Sequence, residues 1–425
     1  MSAFHVVEHT VPGQHIREYP RGLSGSQDGV LKLAVNQYIP KDNLNPQAGD
    51  VTILGAHATG FVKELYEPLW ESILARAKQQ GFRIRGIWIA DTAHQGQSSV
   101  LNERLLGNDP SWFDLSRDLL YLVNHFRDQM PRPLVGLGHS GGGNSITNLA
   151  YMHPRLFTTL ILIEPIIYAF PRIPPQSELS PARLSTFRRD VWPSREQAGK
   201  LFRASKFYQK WHPWVLDRFI SHGLRDMPTL FHPATPKSGV APQVTLRTPV
   251  AQEVFTYFRP NYEGYGHNGK PINRTTHADL DPTSPVIFPF YRGEAGQVHI
   301  RLPELRPGAL FIFGGESDLG APGNVRDKLD RTGVGVGGSG GAAVGKVKCT
   351  VFDGIGHLAA MEAVDKTADE ASKWIGGAME VWRLEEAEHD ENWIQKPTLE
   401  KQTISEEWKK SIGGLPGRQP RTSKI

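Results

Sequence analysis

Leu134-Val135-Gly136-Leu137-Gly138-His139-Ser140-Gly141-Gly142-Gly143 is the stretch on which the fold turns. An apolar run, short enough for a buried strand, enters a Gly-x-Ser-x-Gly turn at Gly138, Ser140 and Gly142, and Asn144 to Met152 continues as the start of a helix. A serine hydroxyl is a weak nucleophile until a base takes its proton, and it must stand clear of the backbone. A sharp strand-to-helix turn achieves this by straining the serine, and the flanking positions must be small, because a Cβ there would collide with the neighbouring strand or helix. With 43 glycines in the chain, the bare pattern arises easily by chance. Its weight comes from the strand before it and the helix after it.

The surrounding chain alternates short apolar runs with helical spacing. Leu31 to Tyr38 and Val51 to Leu54 read as strands, separated by a Pro/Asn/Gly-rich turn. The small-residue loop Gly55-Ala56-His57-Ala58-Thr59-Gly60-Phe61 follows, then helical spacing from Lys63 to Gln80 with Gly81 as its stop. Arg85 to Ala90 and Thr158 to Ile163 are further strands, and Trp112 to Asp128 is an amphipathic helix. This alternation predicts a mostly parallel sheet with helices on both faces. Such sheets hold their ligand sites at the carboxyl ends of the strands, where His57, Asp91, Ser140 and Glu164 all fall.

From Phe170 to about Ile300 prolines recur and helical stretches replace strands, which marks an inserted, mainly helical cap. The core resumes at Gly308 to Phe313, ending on Gly314-Gly315-Glu316-Ser317-Asp318. Gly333 to Gly345 lacks the lysine and strand context of a phosphate-binding loop and reads as a flexible connection. A strand through Cys349 then ends on Asp353-Gly354-Ile355-Gly356-His357-Leu358, and a long helix and a polar tail follow. The expected organisation is core (1–169), cap (170–300), core (301–396) and flexible tail (397–425).

Hydrophobic content of 39% and charged content of 22% describe a globular chain, and no run approaches the roughly twenty apolar residues of a membrane helix. No secretory signal is visible in residues 1–14, and the single cysteine excludes an internal disulfide and fits a reducing compartment. A net charge of +4 implies tolerance of anionic ligands, without a nucleic-acid-binding pattern. Ser423-Lys424-Ile425 is close to the tripeptide read by the peroxisomal import receptor, so peroxisomal delivery through that receptor is expected.

Ser140, an acid at a strand end and a Gly-His pair after the last strand follow one another in the order nucleophile, acid, histidine. With the Gly-x-Ser-x-Gly elbow, this order resembles the α/β-hydrolase family over roughly residues 30–165 and 305–380. The resemblance implies an α/β-hydrolase fold with an inserted cap, Ser140 as the acylated nucleophile and His357 as its base. It implies an oxyanion hole from the backbone N–H groups of Gly141 and Thr59, and acyl transfer to water without metal or cofactor. Members often carry His-Gly where this chain has His57-Ala58. His57 reads as a brace for that loop and, with Phe61 and His139, as a substrate neighbour.

Two acids compete for the third place. Asp318 follows the late strand, where most members keep theirs. Glu164 follows the strand after the nucleophile, and the run Leu160-Ile161-Leu162-Ile163 would carry it straight to the active edge. Glu164 is favoured, with Asp318 as the alternative.

A narrower resemblance rests on the Gly-Ala-His-Ala-Thr-Gly-Phe loop, Gly-His-Ser-Gly-Gly-Gly, Ile-Glu-Pro, the Gly-Gly-Ser-Gly-Gly loop at 337–341 and the terminal tripeptide. Together they look like fungal peroxisomal α/β-hydrolases of toxin and secondary-metabolite pathways, a group that includes acyl-CoA hydrolases. This implies an acyl-CoA thioester substrate and supports Glu164. A carboxylesterase or lactonase on small-molecule esters is the alternative enzyme, and a ligand-binding protein that keeps the fold is the alternative of another class. In the cap, basic residues outnumber acids from Arg183 to Arg225, a candidate rim for the CoA phosphates, and Trp192, Trp211 and Trp214 are candidates to pack an acyl group or adenine. Solvated basic helices around a tryptophan-filled cap core are the competing explanation.

Overall fold

The computed structural model describes residues 2–169, 174, 176–178, 180–233, 242–283 and 288–413. The chain divides into two compact units, Met1–Ala378 and Met379–Ile425.

The first unit opens with β1 (Phe4–Pro12) and β2 (Lys32–Pro40), followed by β3 (Val51–Ala56), α1 (Glu67–Ala77) and β4 (Ile84–Ala90). Then come α2 (Gly96–Leu101), α3 (Trp112–His125), β5 (Leu134–His139), α4 (Gly141–Met152) and β6 (Thr159–Ile163). The strand β1 escapes the pattern reading because it is an edge strand whose middle residues are solvent-facing on both sides.

The insert contains α5 (Pro181–Thr186), β7 (Val191–Trp192), α6 (Arg195–Ala204), α7 (Pro213–His222), β8 (Leu224–Asp226) and β9 (Val244–Leu246). It continues through α8 (Val250–Tyr257), β10 (Arg259–Pro260), β11 (Phe290–Tyr291) and α9 (Glu294–Ile300). Helices dominate it, but β7, β9 and β8 form a small sheet and β10 pairs with β11. These strands are two or three residues long, too short to leave a period in the sequence.

The insert lies in the same compact unit as the sheet, and buried polar ties explain why. The Arg259 guanidinium donates to both carboxylate oxygens of Asp109 at 2.8 Å, and Trp112 Nε1 donates to the Thr256 carbonyl at 2.8 Å.

The core resumes with β12 (Gly308–Gly314), α10 (Pro322–Arg331), β13 (Val347–Phe352), α11 (Ala359–Glu362) and α12 (Val364–His389). The glycine-rich stretch 333–345, expected to be a flexible connection, is a bonded loop. Gly333 and Gly335 donate backbone N–H groups to Leu302 and Pro303, and Ser339 N–H donates to Leu305. Its glycines at 333, 337, 340, 341 and 345 take positive φ, a turn requirement and not a sign of slack. The described part of the tail from 397 contains α13 (Thr398–Gln402) and α14 (Glu406–Ser411), the latter capped by Ser405 Oγ accepting from Trp408 N–H. Ser423-Lys424-Ile425 lies outside the described residues. No helix among the described residues is long and apolar enough to cross a membrane.

The eight-stranded central sheet runs β1-β2-β4-β3-β5-β6-β12-β13, antiparallel at β1/β2 and β2/β4 and parallel thereafter. The chain moves outward in one direction from β3 to β4 and in the other from β3 to β5. This reversal opens a crevice above their carboxyl ends. Ala56 is level with Gly138, His139 with Ile163, and Ile163 with Ile312, so residues following β3, β5, β6 and β12 emerge side by side. Beneath them Leu54, Leu134, Leu160 and Phe311 pack with Leu119 of α3 and Ile146 and Leu149 of α4 in one apolar cluster. That rigid floor fixes where the strand ends point.

Candidate active site

Ser140 sits between β5 and α4 with φ 57° and ψ −119°, a left-handed conformation that non-glycine residues hold only when their surroundings compel it. The surroundings are glycine backbone. A Cβ at Gly142 would stand 2.3 Å from the Ala56 carbonyl oxygen, and one at Gly138 would stand 2.6 Å from the Gly142 oxygen. The Ser140 N–H donates to the Ile163 carbonyl, which ties the elbow to the end of β6.

The residue after β6 is Glu164, also at positive φ (47°), with its N–H donating to the Ile312 carbonyl. Its carboxylate has no solvent exposure and accepts from three donors: the Gly314 N–H on Oε1, and Ser317 Oγ (2.6 Å) and His357 Nδ1 (2.9 Å) on Oε2. The other nitrogen of His357, Nε2, lies 3.0 Å from Ser140 Oγ. Serine, imidazole and carboxylate therefore form one continuous chain, its imidazole 39% exposed and its carboxylate sealed in. Asp318 is not part of it. It opens a 3₁₀ turn, Asp318–Gly320, and its carbonyl accepts from Asn324 Nδ2. The residue before it, Ser317, faces the site instead.

The loop after β3 places Thr59 against Gly141. Thr59 Oγ1 is 2.9 Å from where a Cβ on Gly141 would stand. Among the described residues no backbone acceptor takes the N–H of either. Ala58 donates its N–H to Tyr66 Oη at 2.8 Å, which fixes the loop's path. His57 braces it from below: Nδ1 donates to the Ala58 carbonyl at 2.8 Å and Nε2 accepts from Thr92 N–H at 2.9 Å. Burial holds the His57 pKa below its ordinary value, and both nitrogens are spent inside the protein. Asp91, at the end of β4, is equally internal, accepting from Lys63 Nζ at 3.1 Å and from the Lys63 and Gln97 N–H groups.

Comparison with known proteins agrees with this geometry. Type I acyl-CoA thioesterase mpaH' of Penicillium brevicompactum is 41% identical over 435 residues, 99% of this chain and 98% of its own. A second type I acyl-CoA thioesterase, mpaH of Penicillium roqueforti (strain FM164), is 40% identical over 442 residues, 99% of each chain. The abhydrolase domain-containing protein AKT2 of Alternaria alternata is 29% identical over 290 residues, 67% of this chain and 98% of its own. The chain belongs to the α/β-hydrolase family and is a hydrolase. Among solved structures, the peroxisomal α/β-hydrolase Lpx1 of Saccharomyces cerevisiae shares the fold, with a TM-score of 0.66 and 19% identity over 97% of this chain and 96% of its own. No model of a known protein family matches the chain.

The sequence expectation for His139 needs correction. His139 is not a substrate neighbour. It has no solvent exposure, and its two nitrogens meet Tyr66 Oη at 2.8 Å and the His357 carbonyl at 3.1 Å. As the last residue of β5, it turns into the core while Ser140 turns out. Much of the insert's basic stretch is engaged in ion pairs, several of them at the exposed surface. Arg188 pairs with Glu253, Arg195 with Asp226, Lys200 with Glu196, Arg203 with Asp217, Arg218 with Glu67 and Arg225 with Glu103. The partners Glu253, Glu67 and Glu103 come from segments outside Arg183–Arg225, which a local charge count misses. Trp192 and Trp211 pack with Phe202, Tyr208 and Phe219 as the insert's own core. Phe61 meets Trp211 edge-on at 5.3 Å, so the oxyanion-side loop leans on that cluster.

Ser317 and Tyr66 are the site residues that sequence reading missed. Ser317 stood inside the quoted Gly-Glu-Ser-Asp segment, overshadowed by the more conspicuous Asp318, and Tyr66 carries no local signal. A cavity of about 380 Å³ lies in the insert beside Val250, Val254 and Phe255 of α8, and its lining contains none of Ser140, Glu164 or His357. Among the described residues no three His, Cys, Asp or Glu side chains are grouped to hold a metal ion.

Proposed function

We propose that this hydrolase cleaves an acyl-CoA thioester through an acyl-enzyme on Ser140. The supporting observation is the unbroken line Ser140 Oγ–His357 Nε2 (3.0 Å) and His357 Nδ1–Glu164 Oε2 (2.9 Å). As Ser140 Oγ bonds to the thioester carbonyl carbon, its proton passes to Nε2. Glu164 keeps Nδ1 protonated and stabilises the imidazolium. The Gly141 and Thr59 N–H groups receive the developing oxyanion, each worth on the order of 3 kcal/mol. Collapse breaks the C–S bond, and the thiolate leaves with the proton from Nε2. Water then repeats the sequence against the ester, returning Ser140 and releasing the free acid. The full-length similarity to type I acyl-CoA thioesterases supports the thioester as substrate, and the Ser423-Lys424-Ile425 tripeptide supports delivery to the peroxisome by its import receptor.

One observation favours a second substrate class. Many cations of the insert sit in ion pairs among the described residues, which weakens a charge-based case for CoA and keeps small-molecule oxygen esters or lactones as the competing substrates. The deciding experiment follows free-thiol release from a series of acyl-CoAs beside acid release from matched oxygen esters. Thioester preference with loss in Ser140→Ala supports the proposal; ester preference transfers the assignment. Failure of the wild-type chain to react with a fluorophosphonate would instead indicate a binding protein. Loss of peroxisomal targeting on deletion of residues 423–425 tests the address.

A further inference from the structure

Three hydrogen bonds link the oxyanion-side loop to the segment that carries the base. Ala58 N–H donates to Tyr66 Oη at 2.8 Å, Tyr66 Oη meets His139 Nδ1 at 2.8 Å, and His139 Nε2 meets the His357 carbonyl at 3.1 Å. A carbonyl only accepts, so Nε2 carries an imidazole hydrogen. With the ring neutral, Nδ1 accepts from the Tyr66 hydroxyl, whose oxygen accepts from Ala58. Burial, followed by the neighbouring His357, pushes the His139 pKa down to about 3, and burial raises the Tyr66 phenol. The relay therefore keeps its protons at neutral and mildly acidic pH.

Each end of the relay sits beside a working part. Ala58 precedes Thr59, His139 precedes Ser140, and His357 contributes its own carbonyl. Tyr66 and His139 are both fully buried. The Tyr66 ring stacks on Trp70 at 5.9 Å and meets His139 edge-on at 6.0 Å, so packing leaves the relay little freedom to shift. His357, by contrast, lies on a connection after the last strand with a part-exposed ring. Besides the ring's bonds to Glu164 and Ser140, this connection is tied by Gly356 N–H donating to Glu362 Oε2 at 3.3 Å, Glu316 N–H donating to the Ile355 carbonyl at 2.9 Å and Ile355 N–H donating to the Phe352 carbonyl at 3.3 Å.

We propose that Tyr66 and His139 are positioning residues, which through this one hydrogen-bonded chain hold the His357 base in register with the oxyanion loop. The proposal rests on the reading of Ser140 and His357 as nucleophile and base. A reacting group displaced by about 1 Å loses on the order of 100-fold in rate, which sets the scale of the effect.

The test uses the full chain with Tyr66→Phe, His139→Leu, His139→Gln and His139→Asn. Active sites are counted by fluorophosphonate titration, and kcat and KM for p-nitrophenyl butyrate are expressed per titrated site. Tyr66→Phe and His139→Leu are expected to lose about 10- to 100-fold in kcat per site with KM within about threefold. His139→Gln reaches the His357 carbonyl with an N–H and can accept from Tyr66, so it should stay within about fivefold of wild type. His139→Asn keeps the acceptor for Tyr66 but is too short for the carbonyl, and should fall with His139→Leu. Should Tyr66→Phe or His139→Leu fail to fold, the Gln/Asn pair decides. A purely structural role would lower the number of titratable sites and leave kcat per site unchanged in every variant. That result, or equal kcat for Gln and Asn, overturns the proposal. A wild-type chain that is never labelled refutes the nucleophile assignment instead, a separate outcome.

Discussion

Glu164→Gln preserves the size of the buried acid and removes its charge, and the three donors around it determine the consequence. Gly314 N–H occupies Oε1, while Ser317 Oγ–H and His357 Nδ1–H converge on Oε2. A carboxylate accepts all three; a carboxamide offers one oxygen and an N–H₂ donor. With its oxygen toward His357, the amide sets N–H against the Gly314 N–H in a dry site. With its nitrogen toward His357, Nδ1 must surrender its hydrogen, and Nε2 then carries it and cannot take the proton of Ser140. The hydrogen bond to a charged partner is worth about 1.5–3 kcal/mol. Adding the wrong tautomer brings the loss to roughly 4–5.5 kcal/mol, a 10³- to 10⁴-fold fall in kcat, the range seen when a triad acid becomes its amide. The assay is turnover per fluorophosphonate-titrated site, with Asp318→Asn alongside, which should change kcat by less than about threefold because Asp318 stands outside the Ser140–His357–Glu164 chain. A Glu164→Gln enzyme above a tenth of wild-type activity, or a collapse in Asp318→Asn, would refute the assignment of the acid.

Ser317→Ala removes one of the two hydrogen bonds on Glu164 Oε2 and should lower kcat per titrated site about 5- to 30-fold, with Ser317→Thr retaining most activity; an unchanged Ser317→Ala would show that Glu164 needs no such support. Gly142→Ala drives a Cβ to 2.3 Å from the Ala56 carbonyl oxygen, so soluble yield and thermal midpoint should both drop sharply, and a wild-type melting curve would contradict the packing described. Burial holds the Asp114 carboxyl up at about 7, with Arg17 opposing and Asp118 adding to the rise. An acid whose folded pKa lies above its unfolded one binds its proton more tightly in the fold, so it withdraws stability as pH climbs from about 4 to about 7. The Tm of Asp114→Asn should therefore gain on wild type between pH 5 and pH 8, and a pH-independent difference would count against it.

The parts of the fold legible in the sequence were those held by local pattern. The β5 run, the small residues around Ser140, and the apolar strands leading to His57, Glu164 and Gly314 are short continuous apolar runs between turn signals, and the sheet follows from them. Glu164 was readable because Leu160–Ile163 aims it at the crevice. What stayed hidden depends on partners far apart in sequence. His139 looked available beside the nucleophile, yet strand alternation turns it inward to meet Tyr66, 73 positions away. The cations of the insert looked free because their acids lie elsewhere, as Glu103 does for Arg225 across 122 positions. Ser317 was passed over because a hydroxyl gains its role only from the carboxylate opposite it. In each case the missing information was a tertiary neighbour, which no window of sequence contains.

The most direct test is rapid acid quenching of the enzyme during turnover of an acyl-CoA, followed by peptide mass analysis. The account predicts one acyl group on the peptide that contains Ser140, at the mass of the substrate's acyl chain, absent in Ser140→Ala together with thiol release. Turnover that persists in Ser140→Ala, or an acyl group trapped on another residue, would contradict it.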